Sequence, residues 1–140
     1  MKMEMLISLI AAQSLAALPP AGVRVKVEGV RDDLGVVTVE LCTAATFLGT
    51  SCSMSNSVRA QTGTVTVDFA EVPAGTFAIQ AFHDRNSNGR VDRSVLGIPT
   101  EEVGFSRSAP TGLTGPKFER AAFTHETEGQ EVTVVLKRYF

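Results

Sequence analysis

Apolar and polar residues alternate with a period of two through most of the chain beyond residue 22. Val23, Val25 and Val27 share one parity while Arg24, Lys26 and Glu28 take the other. Val37, Val39 and Leu41 alternate with Thr38 and Glu40, and Val65, Val67 and Phe69 with Thr64, Thr66 and Asp68. Phe77, Ile79 and Ala81 alternate with Thr76 and Gln80, and Val132, Val134 and Leu136 with Thr133 and Lys137. Each run has the period and the β-branched content of a half-buried antiparallel strand. Turn residues separate the runs: Gly29 to Gly35 joins the first two, and Val72-Pro73-Ala74-Gly75 turns into the strand that ends at Asp84. The pattern predicts an all-β fold, a single antiparallel sandwich or barrel. No helical period follows residue 18. The Gly- and Pro-rich segment from Ser94 to Phe123 is long enough to be functional or to carry short elements of its own. Phe105, Phe118 and Phe123 within it are expected to anchor it against the sandwich as a lid.

The first residues follow a different rule. Lys2 precedes an apolar run from Met5 to Leu18, and Ser14-Leu15-Ala16 offers small residues at the -3 and -1 positions of a cleavage site. Residues 1–16 therefore read as a signal peptide and residues 17–140 as one domain in a periplasmic or secreted protein. The run is too short and interrupted for a comfortable membrane span, and no later segment is long and apolar enough for one. The formal net charge is -2, with 13 Lys and Arg against 15 Asp and Glu, and no basic stripe, which argues against nucleic-acid binding. Cys42 and Cys52 are the only cysteines. In an oxidising compartment they are expected to form a disulfide rather than two free thiols.

Candidate chemistry concentrates in Asp84-Arg85-Asn86-Ser87-Asn88-Gly89-Arg90-Val91-Asp92. Asp84, Asn86, Asn88 and Asp92 stand at positions 1, 3, 5 and 9 of a calcium-loop pattern, Gly89 at 6, and Arg90 at 7, where a backbone carbonyl ligates. Position 12, the bidentate Glu of a full loop, is Val95. Glu101 or Glu102, brought back by the Gly97-Ile98-Pro99 turn, is the expected substitute. The same residues also suit an unliganded polar turn, since Asp and Asn form Asx-turns and tolerate left-handed backbone. His83 falls on the inward parity of its strand; as a transition-metal ligand it would need His125, the only other imidazole. Ser106 and Ser108 lack the second Gly of a nucleophile elbow. Asp92, Glu101 and Glu102 could pair as in a glycosidase, yet one Tyr and no Trp leave little platform for a sugar.

Several motifs fall in a recognisable order: Pro73-Ala74-Gly75-Thr76-Phe77; Ala81-Phe82-His83-Asp84; Asn86, Asn88-Gly89 and Asp92; Leu96-Gly97-Ile98-Pro99-Thr100-Glu101; Gly104-Phe105-Ser106; Phe118-Glu119-Arg120-Ala121. Together they resemble the DUF2141 family of bacterial secreted proteins over roughly residues 23 to 137. Lys117, where the family tends to have Pro, and the Cys42/Cys52 pair depart from its pattern. The resemblance implies a seven-stranded Ig-like or prealbumin-like sandwich and transfers no activity. The expectation is a non-enzymatic module, stabilised by Ca2+ in the Asp84–Asp92 loop, with a partner in the cell envelope. The alternative is a small-ligand-binding or hydrolytic protein using a cleft between that loop and the Gly97–Phe123 segment.

Overall fold

The structure, a computed structural model, describes residues 17–18, 20–49, 52–110 and 115–139. The signal-peptide reading of residues 1–16 lies outside the described residues. The described chain is nearly all β. Eight strands run β1 Val23–Val30, β2 Val36–Cys42, β3 Met54–Arg59, β4 Gly63–Phe69, β5 Gly75–Asp84, β6 Val103–Phe105, β7 Phe123–His125 and β8 Gln130–Val135. Among the described residues the helical pieces are a 3-10 turn at Ser106–Ser108 and the short helix α1, Phe118–Ala121. These fall in the long Gly/Pro-rich segment, with β6 and β7 on either side of them.

The strands form two sheets. The first has the order β4-β1-β8, and the second β3-β2-β5-β6, with β7 paired to the first residues of β5. The parity seen in the sequence is the parity of burial. Val23, Val25 and Val27 of β1 and Val65, Val67 and Phe69 of β4 share one buried cluster with Val37, Val39 and Leu41 of β2 and Phe77, Ile79 and Ala81 of β5. The core thus draws on both sheets, each strand turning alternate side chains toward it. On the outer face of the first sheet Arg24 and Asp68 stand opposite in register, and the guanidinium grips the carboxylate through Nε at 2.8 Å and Nη2 at 2.9 Å.

One expectation is corrected. Not every pairing is antiparallel, because β1 and β8 run parallel, with Val25 beside Val132. A parallel pair needs a long crossover, and here everything from β2 to β7 lies between the two strands. β8 is held to β1 by the match of Val132 and Val134 to Val25 and Val27, not by a hairpin.

The second sheet is covered on its outer face too. Ala78 of β5, Ala109 and Ala121 form a small buried cluster against Phe47, Phe105 and Phe118, whose rings meet edge to face at 6.0 Å (Phe47 and Phe105) and 5.8 Å (Phe47 and Phe118). Two of the three phenylalanines expected to anchor the long segment do so here, while Phe123 packs on the main core. Cys42, the last residue of β2, is disulfide-bonded to Cys52, which ties the Phe47-bearing loop to the sheet that it covers.

Closing so short a loop stabilises the fold by about 2–3 kcal/mol in the chain-entropy account. Urea denaturation with and without reductant should therefore show a loss of that size, and Cys42→Ser/Cys52→Ser should match the reduced protein. A reduced protein as stable as the oxidised one would mean that the bridge constrains nothing.

Candidate functional site

Strand β5 ends at Asp84, which pairs with Val36 at the start of β2. Just before it, Gly35 has φ +69 and faces the carbonyl oxygens of Asp84 and Arg85 so closely that a Cβ would collide with both. Only glycine fits, because the β1–β2 connection lies directly on the backbone where the Asp84 loop departs.

The loop is organised by its own side chains. The Asp84 carboxylate accepts from the backbone N–H of Asn88 (3.1 Å) and of Gly89 (2.8 Å), closing a tight turn. Ser87 with φ 53 and Gly89 with φ 83 supply the left-handed backbone which that turn requires. The Asn86 and Asn88 carboxamides each donate through Nδ2 to an Asp92 carboxylate oxygen, both at 2.7 Å. The side-chain ends of Asn86, Asn88 and Asp92 therefore meet at one point, with Asp84 anchoring the turn beneath. Arg90 donates its backbone N–H to Asn88 Oδ1 at 3.1 Å.

Glu101 returns to this loop as the sequence suggested. Its carboxylate accepts from the backbone N–H groups of Arg85 and Asp92, each at 3.1 Å, and so clamps the loop's two ends. Burial pushes its pKa up; the two N–H donors oppose that shift, and the Asp92 and Asp84 charges add to it. Between Asp92 and Glu101 the chain makes a small hairpin, in which Thr100 N donates to the Asp92 carbonyl at 2.8 Å and Arg93 bridges Pro99.

Glu102 goes the other way. Successive residues of an extended chain face opposite sides, so when Glu101 meets the loop its neighbour is turned from it. Glu102 is buried and held at 2.8 Å by Arg85 Nη1, a close ion pair set off the line of a hydrogen bond. Arg31 and Arg138 approach its other oxygen at 3.6 and 3.7 Å. Arg138 comes from the chain after β8, placed there by paired backbone hydrogen bonds between Val103 and Lys137. Arg85 also donates to Asp32 at 2.9 Å. Glu102 and then Asp32 hold the Arg85 guanidinium in its charged form, raising its pKa. The Leu34 N–H and then Arg85 hold Asp32 below the ordinary carboxylate range. His83, fully buried, meets the Leu34 carbonyl through Nε2 at 2.7 Å, while its Nδ1 has no hydrogen-bond partner. This charge cluster has no signature in spacing, because its members come from four separate parts of the chain.

The other candidates disperse. His125 pairs with Gly75 at the opposite end of β5, eight residues from His83 and roughly 26 Å away at strand rise, so the two imidazoles share no metal. His125 is instead held between Gln130 Oε1 and the Ala21 carbonyl. Ser106 is buried, donating to the Ala121 carbonyl at 2.6 Å and accepting from Ile79 N at 2.9 Å, which makes it a strut between β5 and α1. Among the described residues no three His, Cys, Asp or Glu side chains gather as a metal-ligand group. An ion in the Asp84–Asp92 loop would thus depend on carboxamide and backbone oxygens beside its two aspartates. To present oxygen at that point the two carboxamides would turn over, giving up the bonds that the Asn88 and Arg90 N–H groups make to Asn86 Oδ1 and Asn88 Oδ1. Two surface recesses lie elsewhere, one beside Asp33, Gly35, Ser57 and Arg59, the other along Thr124 to Gln130.

A family model described as "Uncharacterized protein conserved in bacteria (DUF2141)" matches residues 25–133. No curated protein and no solved structure matches the chain.

Replacing Glu101 with Ala should orphan two backbone N–H groups and cost about 1–3 kcal/mol in denaturant melts. Amide exchange at Arg85 and Asp92 should quicken more than at Ile79 in mid-strand; equal protection in the variant would show that Glu101 braces nothing. Acid titration separates the carboxyls by sign. Asp32, with its folded value lowered, contributes stability that is complete above the ordinary aspartate value of 3.8 and is lost as pH falls through the lowered value. Glu101 is the reverse: its contribution is complete at low pH and is lost as pH rises through its raised value. Asp32→Asn should flatten the acid limb of a stability–pH curve, and an unchanged limb would refute the assignment.

Proposed function

The chain belongs to the DUF2141 family, and we propose that it is an exported, non-catalytic binding module whose Asp84–Asp92 loop is stabilised by Ca2+. In this reading the two sheets form an Ig-like or prealbumin-like sandwich that carries the loop at one end. Export is supported by the Cys42–Cys52 disulfide, which suits an oxidising compartment, and by the leader-like composition of residues 1–16. The observation that carries the calcium reading is the meeting of Asn86 and Asn88 on the Asp92 carboxylate at 2.7 Å. Positions 3, 5 and 9 of the calcium pattern converge although no helix flanks the loop, and position 1, Asp84, is fixed beneath them by the Gly89 N–H. Asp84, Asn86, Asn88 and Asp92 would give side-chain oxygens and Arg90 its carbonyl. Glu101, whose oxygens serve backbone N–H groups, is assigned the part of a brace that fixes Asp92. Two carboxylates suit the weak affinities of extracellular modules, on the order of 0.1–1 mM.

Calcium should then stabilise the folded protein by roughly 1–2 kcal/mol at about 5 mM, which raises the melting temperature by a few degrees. EDTA should reverse the shift, and Asp92→Asn should abolish it. A melting temperature indifferent to calcium in the unmodified protein would dispose of the ion reading.

A further inference from the structure

The hairpin at residues 93–99 places apolar side chains where a folded protein usually avoids them. Val95 is 103% exposed, Leu96 82% and Ile98 41%, three large apolar groups within four residues. Single exposed residues such as Leu34 are ordinary; an adjacent trio at a loop tip is not. The tip is also built to hold its shape. Ser94 N donates to the Ile98 carbonyl and Gly97 N to the Ser94 carbonyl, both at 2.9 Å, and Arg93 Nη1 donates to the Gly97 carbonyl at 3.0 Å. The Ser94 hydroxyl lies under the N–H groups of Leu96 and Ile98 at 3.3 and 3.4 Å. With its backbone tied in this way, the hairpin keeps Val95 and Leu96 directed at solvent and does not fold them back on the sheet.

Charge is sorted around the tip. Arg93 is exposed at the base of the hairpin and Arg90 is exposed three residues before it in the chain, whereas Asp84, Glu101 and Glu102 are buried, and Asp92 is part-buried against Asn86 and Asn88. A chain of net charge -2 thus carries two exposed cations close in sequence to an apolar tip. We propose that the 93–99 hairpin docks on an anionic lipid surface, with Val95, Leu96 and Ile98 entering the headgroup boundary and Arg90 and Arg93 meeting lipid phosphates. Lipid suits the tip better than a protein groove does. A stable protein interface takes about 800 Å² from each partner, more than three side chains on a narrow point supply. An interfacial lipid contact needs only a small apolar wedge together with basic residues close to the surface.

The chain has no Trp, so Leu96→Trp in the full-length protein gives one indole that reports on this tip alone, whatever residues 1–16 do. Measurements in EDTA keep the outcome independent of any ion in the neighbouring loop. With vesicles of equal parts phosphatidylglycerol and phosphatidylethanolamine, the emission should shift to the blue and be quenched by brominated acyl chains. Phosphatidylcholine vesicles should give a far weaker response. Arg90→Glu/Arg93→Glu in the same background should reduce lipid affinity about tenfold or more, and Val95→Ser/Ile98→Ser should also weaken it. An unshifted indole on anionic vesicles, with circular dichroism showing the fold intact, would overturn the proposal. So would an equal response on phosphatidylcholine, or a blue shift that grows with protein concentration without lipid, which would assign the tip to a second copy of the chain.

Discussion

Strand β5 has neighbours on both edges and cover on both faces, and the rest of the molecule is arranged around that constraint. Phe77, Ile79 and Ala81 face the main core, while Ala78 faces the cluster of Phe47, Phe105 and Phe118. β2 pairs along one edge, with β6 and β7 along the other. A slip of one residue would exchange the two faces, so neither the register nor the point where the strand stops is negotiable. Asp84 is the last paired residue, and the loop that follows begins from a fixed position. The Ser106 hydroxyl occupies the next place on the β6 edge by accepting from Ile79 N, so that the ladder is extended by a side chain where the backbone has turned away.

Two adjacent glutamates divide the chemistry at the end of that strand. Glu101 is spent on the backbone of the polar loop, and Glu102 on guanidinium groups from Arg31, Arg85 and Arg138. Arg85 lies between them, giving its N–H to one and its side chain to the other. The polar loop and the charge cluster are therefore one mechanical unit. Gly35 seals it from the side, since any larger residue would push the β1–β2 connection off the Asp84 carbonyl.

What was legible in the sequence was whatever repeats locally. The five alternating runs appear as β1, β2, β4, β5 and β8 because each turns apolar side chains of one parity to the main core. β3, Met-Ser-Asn-Ser-Val-Arg, gave no such signal: it is an edge strand whose residues are largely exposed, held by backbone pairing and the Thr38–Ser57 hydroxyl contact. β6 and β7 are three residues each and too short for any period to register. In the loop, Asp84, Asn86, Asn88, Gly89 and Asp92 could be read because the geometry is set by spacing along one stretch. Glu101 was reachable through the Gly97-Ile98-Pro99 turn. The surroundings of Glu102 and His83 were not, since they are assembled by sheet pairing from residues as distant as Arg31 and Arg138.

The parallel partnership of β1 and β8 has a bearing on how the chain comes to be folded at all. Val25 lies beside Val132, 107 residues later, as 132 − 25 gives. Until the last strand has been synthesised, β1 presents an open edge and the first sheet consists of only two strands. Non-local pairing of this kind is slow to nucleate, because the intervening chain must be ordered before the contact is made. The first sheet thus cannot close before β8 is available, and the closing strand is the one that brings Arg138 to Glu102. Closure of the first sheet and completion of the charge cluster are the same event.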